Sequence, residues 1–128
     1  MEAMKMTAEV WHKDESLQRD TMLIEGPLRG GAKIEFDGNV VVMGDVNAGA
    51  EIRASGHVII FGSLRGMVHG GKDGDRGVRV AALSLFPTQL RIADHITCPP
   101  EGYTPADHRG PEVASLQDNK VVIETLAI

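Results

Sequence analysis

A six-residue periodicity of aliphatic side chains is the feature that most restricts the fold of this chain. Between residues 22 and 64 every sixth residue is aliphatic, namely Met22, Leu28, Ile34, Val40, Val46, Ile52, Val58 and Leu64. The fourth residue after each of them is Gly or Ala, with Val68 as the exception. An α-helix does not produce this pattern, because its apolar stripe recurs every ~3.6 residues. Strands with alternating side chains produce it when the chain turns a corner after each set of six.

Three sides of six residues close a coil of eighteen, which places residues i and i+18 on neighbouring rungs of a parallel sheet, about 4.8 Å apart. The sequence repeats itself at this distance, because GNVVVMG at 38–44 returns as GHVIIFG at 56–62. We therefore predict an all-β fold, a three-sided parallel β-helix (β-solenoid) with about 18 residues per coil. The aliphatic residues would point inward and form the core. The periodicity leaves the handedness open.

Composition restricts the class of protein further. A chain of 128 residues suits one domain, and its net charge of −5 argues against nucleic acid or an anionic membrane as a direct partner. Cys98 is the single cysteine, and none of the five histidines has a partner at metal-ligand spacing. We expect no metal, no cofactor and a cytoplasmic location. The domain is predicted to span 21–128, after a lead at 1–20 that is poorly ordered or an expression remnant.

The outward positions of the first side are apolar as well as its inward positions. Five of them form the predicted hydrophobic face: Leu23, Val41, Met43, Ile59 and Phe61. A side that is apolar on both surfaces is normally covered. Residues 78–128 of the same chain could cover it, or a second copy could pack there in a homodimer.

The second side is predicted to be polar, with three stacked outward sets. They are Arg29/Asn47/Arg65, Gly31/Gly49/Met67 and Lys33/Glu51/His69. This side is either an ordinary solvated face or a partner site. The third side, with Glu35/Arg53, Asp37/Ser55 and His57, is predicted to be solvated.

The periodicity ends near residue 70. Residues 70–77 (GGKDGDRG) predict a loop, and alternating apolar residues then predict strands near 78–85 and 90–93. Residues 98–112 hold four of the six prolines and predict an irregular segment. Residues 113–126 predict a closing pair of strands that turns at Asp118-Asn119.

Two stretches resemble the C-terminal domain of the MinC family of bacterial division inhibitors. These are GDVNAGAEI at 44–52 and GHVIIFGSLRGMVHGG at 56–71, and the resemblance extends over about residues 21–126. It implies a right-handed three-sided β-helix and a non-enzymatic cell-division adaptor that forms a homodimer. The implied partners are the ATP-bound, membrane-associated ATPase MinD and the division polymer FtsZ, with the membrane reached only indirectly, through MinD.

The resemblance also implies site residues. The family's MinD-contacting motif RSGQ stands here as Arg29-Gly30-Gly31-Ala32, so Arg29 and Gly31 match while a hydroxyl and an amide are missing. Gly49 and Glu51 match the family's GAE motif. MinD binding is therefore expected at Arg29, Gly31, Gly49 and Glu51, and dimerisation at the hydrophobic face. Family members carry a separate N-terminal domain, so the sequence corresponds to an excised C-terminal domain or to a short form.

Two other functions fit a β-solenoid. The first is a self-polymerising structural protein similar to the bactofilins, which would stack end to end. The second is a hexapeptide-repeat acyltransferase in which His57 or His69 would act as the general base.

Overall fold

The computed structural model of the protein describes residues 19–99 and 110–126. All regular elements in these two ranges are strands: β1 (Thr21–Glu25), β2 (Lys33–Phe36), β3 (Asn39–Met43), β4 (Glu51–Ala54), β5 (Val58–Leu64), β6 (Met67–Gly70), β7 (Val80–Leu85), β8 (Gln89–Ile92), β9 (His95–Thr97), β10 (Glu112–Gln117) and β11 (Lys120–Thr125). In the described part of the chain there is no helix that could cross a membrane. The predicted lead at 1–20 lies almost wholly outside the described residues.

The strands form the predicted solenoid of about four coils. Sheet A has the order β1-β3-β5-β7-β10-β11, and sheet B has the order β2-β4-β6-β8-β9. Each coil adds one parallel strand to each sheet, so that Met22 pairs with Val40, and Val40 with Val58. The predicted second side is narrow and has single bridges from Leu28 to Val46 and from Val46 to Leu64. The all-β fold and the eighteen-residue coil are thus confirmed for the first three rungs of sheet A.

The predicted inward columns form the core. Val40, Val58 and Ile52 are completely buried, and so are Val68 and Val80 in the rungs that follow. Burying an aliphatic side chain contributes roughly 1.5–3 kcal/mol, so these columns dominate the stability of the fold. The first coil is less enclosed, because Met22 and Ile34 are only partly buried.

Stacked glycines let neighbouring rungs approach at the corner after each strand of sheet A. A Cβ atom on Gly62 would lie 2.5 Å from the carbonyl oxygen of Gly44, and a Cβ atom on Gly44 would lie 2.7 Å from the backbone of Gly26. Real Cβ atoms do not come this close to backbone atoms. The small residues of the six-residue pattern are therefore required by close backbone contact.

The coil length changes after the second coil, which corrects part of the predicted stacking. Val46 pairs with Leu64, a step of 18, but Glu51 pairs with Met67, a step of 67 − 51 = 16. The reason is that the two residues Arg65 and Gly66 replace the four-residue turn at 47–50. Met67 therefore lies beside Glu51 instead of Gly49. His69 likewise lies beside Arg53 and not, as predicted, beside Glu51.

The fourth coil follows the loop at 70–77, so that Met67 pairs with Gln89, a step of 89 − 67 = 22. β9 then pairs antiparallel with β8, and β10 pairs antiparallel with β7. The predicted closing pair of strands is confirmed as the β10–β11 hairpin. Its turn residues Asp118 and Asn119 have φ angles of 51° and 63°, and two positive φ angles are what a tight type I′ hairpin turn requires. Most of the predicted irregular segment at 98–112 lies outside the described residues.

Candidate partner-binding surfaces

Two β-turns stack on the second side of the solenoid. In the first turn the Ala32 amide donates to the Arg29 carbonyl over 3.0 Å, and Ala50 and Asn47 make the same bond in the next coil. Gly31 and Gly49 have φ angles of 93° and 89°, the conformation that the third position of a type II turn reserves for glycine. The sequence therefore folds this way locally because glycine stands at the same place in both turns.

The four predicted MinD-contacting residues come together at these turns. The Gly31 amide donates to the Gly49 carbonyl over 3.1 Å, and the Glu51 amide donates to the Ala32 carbonyl over 2.9 Å. Arg29, Gly31 and Gly49 are exposed, and Glu51 is half-buried at the start of β4. We call Arg29, Gly31, Gly49 and Glu51 the turn surface. The structure shows that they are neighbours, and their role in binding stays a prediction.

The turn surface ends at the third coil, which lacks the turn. Arg65 lies there and donates from Nη1 to Asn47 Oδ1 over 3.1 Å, while its Nη2 lies 3.8 Å from Asp45 Oδ2. Gly66 packs against the turn above, since a Cβ atom on it would lie 2.4 Å from the Ala50 carbonyl oxygen. The predicted Arg29/Asn47/Arg65 set thus holds together in space, although Met67 and His69 leave this side.

The outer surface of sheet B carries a row of basic side chains that the sequence pattern did not bring together. Arg53 pairs in register with His69, and His69 with Arg91. The His69 ring is buried, and its Nε2 lies 2.9 Å from the Ala93 carbonyl oxygen. Burial lowers the His69 pKa, and the positive charges of Arg91, Arg53 and Lys72 lower it further. We call Arg53, His69 and Arg91 the cationic strip.

The third side is not fully solvated, contrary to the prediction. Ser55 is buried, and its hydroxyl donates to Asp37 Oδ1 over 2.8 Å. His57 is half-buried, and its Nδ1 accepts a hydrogen bond from the Arg79 amide over 2.8 Å. Burial lowers the His57 pKa, and the Arg19 charge adds to this effect. These polar side chains stack in a ladder and hold the corner between the sheets.

The predicted hydrophobic face lies on the outer surface of sheet A. Leu23 is 57% exposed, Met43 51%, Phe61 55% and Ile59 38%, while Val41 is half-buried between its neighbours. All five belong to β1, β3 and β5, which are adjacent in the sheet.

Of the two alternatives for this face, the one in which residues 78–128 cover it is wrong for the described residues. β7, β10 and β11 join the edge of the same sheet and extend it. Their inward residues Val80 and Ala114 continue the core, whereas Leu83 on β7 is 47% exposed. The segment VRVAALSL (78–85) alternates inward and outward side chains, so its strand forms the next rung of sheet A. A strand in the next rung cannot also lie over the outer surface of β1, β3 and β5.

Within 19–99 and 110–126 no group of three or more His, Cys, Asp or Glu side chains is arranged to hold a metal ion. An apolar cleft of about 340 Å³ opens at the C-terminal end of the solenoid, between β8 and β11. Leu90, Val121, Ile123 and the exposed Cys98 are among the residues that line it. The described arrangement is that of a scaffold that presents two different surfaces.

The described residues thus form a three-sided parallel β-solenoid with stacked glycine turns on one side and an open apolar face on another. Residues 22–126 match the family profile described as the septum formation inhibitor MinC, C-terminal domain. The chain belongs to this family, as its resemblance predicted.

Relatives and a solved structure agree with this assignment. The probable septum site-determining protein MinC of Acetivibrio thermocellus is 52% identical over 104 residues, which are 81% of this chain and 46% of that protein. The corresponding protein of Persephonella marina is 39% identical over 111 residues, 87% of this chain and 55% of that protein. In the MinC:MinD cell division protein complex of Aquifex aeolicus, a chain superimposes with a TM-score of 0.77 at 36% identity, covering 84% of this chain and 87% of that one. The chain thus spans about half the length of the curated relatives it matches.

Proposed function

We propose that the protein is a non-enzymatic adaptor that binds the ATPase MinD and thereby helps to block septum formation at wrong sites. The observation that carries this proposal is the likeness to a chain of the Aquifex aeolicus MinC:MinD complex over most of the solenoid. Binding to MinD brings the adaptor to the inner face of the cell membrane without a membrane contact of its own. FtsZ, the division polymer, is the further partner that such an adaptor would meet there.

The turn surface is the MinD-binding site in this proposal. Its backbone is set by glycines in the left-handed region, and its side-chain groups are the Arg29 guanidinium and the Glu51 carboxylate. No ion pair holds Arg29 within the described part of the chain, which leaves its five N–H donors for a partner. A rigid turn with a free guanidinium is suited to bidentate contacts with carboxylates.

The test is a binding titration with the MinD-type ATPase of the same organism, loaded with ATP or with ADP. We expect binding to the ATP-loaded form and a loss of roughly tenfold or more for Arg29→Ala and for Glu51→Ala, as for residues central to an interface. Lys120→Ala, on β11 at the far edge of sheet A, serves as the control. Equal affinity of all four proteins would show that the turn surface is not the site.

The hydrophobic face is the homodimer interface in this proposal. The large apolar side chains on β1, β3 and β5 are exposed next to one another, as an isologous interface needs. A dimer presents two turn surfaces, so a membrane-bound array of MinD would hold it by avidity.

The other two functions receive no support from the described residues. End-to-end polymerisation needs a free parallel rung at each end, but β9 and the β10–β11 hairpin pair antiparallel at the C-terminal end. An acyltransferase needs a histidine base beside an open acceptor site. The buried His69 ring is engaged with the Ala93 carbonyl, and His57 accepts from the Arg79 amide.

A further inference from the structure

The N-terminal end of the solenoid is an open edge in the described part of the chain. β1 is the first strand of sheet A and β2 the first strand of sheet B, so each pairs on one side only. The inward residues Met22 and Ile24 of β1 are only partly buried, whereas Val40 and Val42 in the next coil are completely buried. An edge strand with exposed backbone groups and apolar side chains is a ready template for a further strand.

The backbone hydrogen bonds between coils show what this edge can accept. The Leu28 amide donates to the Asp45 carbonyl over 2.9 Å, and one coil later the Val46 amide donates to the Ser63 carbonyl over 2.8 Å. The carbonyl at the same place in the first coil is that of Pro27, and no described rung lies above it. The first coil thus offers a further rung the same acceptor that the second and third coils use.

The space above the corner of the first coil is open as well. A Cβ atom on Gly44 would lie 2.7 Å from the backbone of Gly26, because the first coil packs directly above it. A Cβ atom on Gly26 would meet no atom of the described residues within 4 Å. A further rung could therefore fill this space as the first coil fills the space above Gly44.

The sequence one coil earlier has the pattern that this edge requires. Residues 4–10 read MKMTAEV, in which Met, Met, Ala and Val alternate strictly with Lys, Thr and Glu. Strict alternation is typical of a strand with one buried face. At the step of eighteen, the apolar residues of this segment fall on inward or corner positions of the first coil: Met4 on Met22, Met6 on Ile24, Ala8 on Gly26 and Val10 on Leu28.

The chain is already held against the solenoid before β1 begins. The Asn39 amide donates to the Asp20 carbonyl over 2.9 Å, and Arg19 forms an ion pair with Asp75 in the loop at 70–77. The preceding residues therefore start from the corner that leads into the first coil. Residues 11–18 are available to follow the remaining sides back to the edge of β1.

We propose that residues 3–10 form a further parallel strand on β1 and close the N-terminal end of the core. The side chains of Met4 and Met6 would cover the partly buried residues of β1, and the Val10 amide would donate to the Pro27 carbonyl. The occupant of the open edge is thus the chain's own preceding segment. A docked strand replaces the poorly ordered lead that was expected for this part of the sequence.

The outward residues of the added strand would end the apolar face of sheet A. Lys5 would lie beside Leu23, at the start of the row that continues with Val41 and Ile59. A lysine on an edge strand discourages pairing with another chain. The strand would therefore protect this end of the solenoid from end-to-end association.

The strand would also bring Trp11 to the turn surface. Trp11 lies one coil before Arg29, in the outward set whose members Asn47 and Arg65 contact one another. An indole stacked on the face of a guanidinium leaves the N–H donors at its rim free. Trp11 would thus hold Arg29 in place for a partner, and this consequence alone rests on the proposed function.

Cysteine pairs test the register of the added strand. In a Cys98→Ser background, Lys5→Cys with Leu23→Cys places the two Cα atoms on adjacent rungs, about 4.8 Å apart, which a disulfide can span. Thr7→Cys with Leu23→Cys is the control, because a shift of two residues separates the Cα atoms by about 8 Å. We expect mild oxidation to close the first pair within one chain and to leave the control reduced. Equal closure of both pairs, or disulfides between chains only, would overturn the proposal.

Two single variants test which side of the segment is buried. Met6→Asp places a carboxylate on the inward surface, and Thr7→Asp places the same group on the adjacent outward surface, with the same change in net charge. We expect Met6→Asp to release the strand, because a buried unpaired charge is costly. The β1 amides should then exchange hydrogen faster, and acrylamide should quench Trp11, the single tryptophan, more strongly.

Thr7→Asp should match the wild type in both measurements, and circular dichroism checks that the solenoid of both variants is folded. Equal exchange and quenching in all three proteins would show that residues 3–10 are not docked on β1. Neither measurement involves the ATPase, so their outcome is independent of the proposed function.

Discussion

Replacing Val58 or its neighbour Ile59 by alanine tests the arrangement of the solenoid. The two residues are adjacent on β5, but Val58 is completely buried while Ile59 is 38% exposed. Val58→Ala removes two buried methyl groups at about 0.8 kcal/mol each, and the cavity left between rungs raises the cost to about 2–3 kcal/mol. For a domain of this size that lowers Tm by roughly 8–12 °C. Ile59→Ala should cost less than about 1 kcal/mol in the monomer, because it removes surface atoms.

The assay is urea unfolding followed by circular dichroism, at several protein concentrations. The loss caused by Val58→Ala should not depend on concentration, because it lies in the core of each chain. The loss caused by Ile59→Ala should grow as the concentration rises, because the proposed dimer would stabilise the wild type more than the variant. If Ile59→Ala costs as much as Val58→Ala at the lowest concentration, the assignment of inward and outward side chains on β5 is incorrect.

Two further predictions concern the dimer and the response to pH. Phe61→Glu, at a side chain 55% exposed on sheet A, should give a monomer with an unchanged β spectrum, measured by analytical ultracentrifugation; a dimer that persists would place the interface elsewhere. The folded pKa of His57 lies below its unfolded value of about 6.5, so the unfolded state binds more protons and stability should be full above that pH and fall as the pH decreases below it. Urea unfolding between about pH 5 and 7.5 checks this, and His57→Gln should show a shallower pH dependence than the wild type.

The spacing of aliphatic residues was sufficient to predict the core. Any inward residue such as Val40 must meet Val58 if the coil has eighteen residues, because only that step keeps both in the interior. The hairpin of β10 and β11 was also predictable, since Asp118-Asn119 tolerates positive φ angles. In both cases a local physical requirement determines the answer.

The cationic strip could not be predicted from the same pattern. The period fixes which residues point inward, but the length of each coil is decided at the corners, where turns of different length join the strands of neighbouring sides. Arg65-Gly66 shortens one corner and the loop at 70–77 lengthens another, so Arg53, His69 and Arg91 meet at steps of 16 and 22. The sequence contained a signal of the shorter corner. When GAEI (49–52) and GMVH (66–69) are aligned so that Ile52 lies beside Val68, the step between them is 68 − 52 = 16 residues instead of eighteen.

The alternation of side chains lets one solenoid carry two unrelated surfaces. In each strand the inward residues are committed to the core, while the outward residues are free to differ between sheets. Sheet A uses this freedom for apolar residues such as Phe61, and sheet B for charged residues such as Arg53. A dimer formed through sheet A would leave sheet B and the turn surface uncovered in both copies. Dimerisation and partner binding would therefore be separable, and loss of the dimer should reduce avidity while it preserves the affinity of a single site.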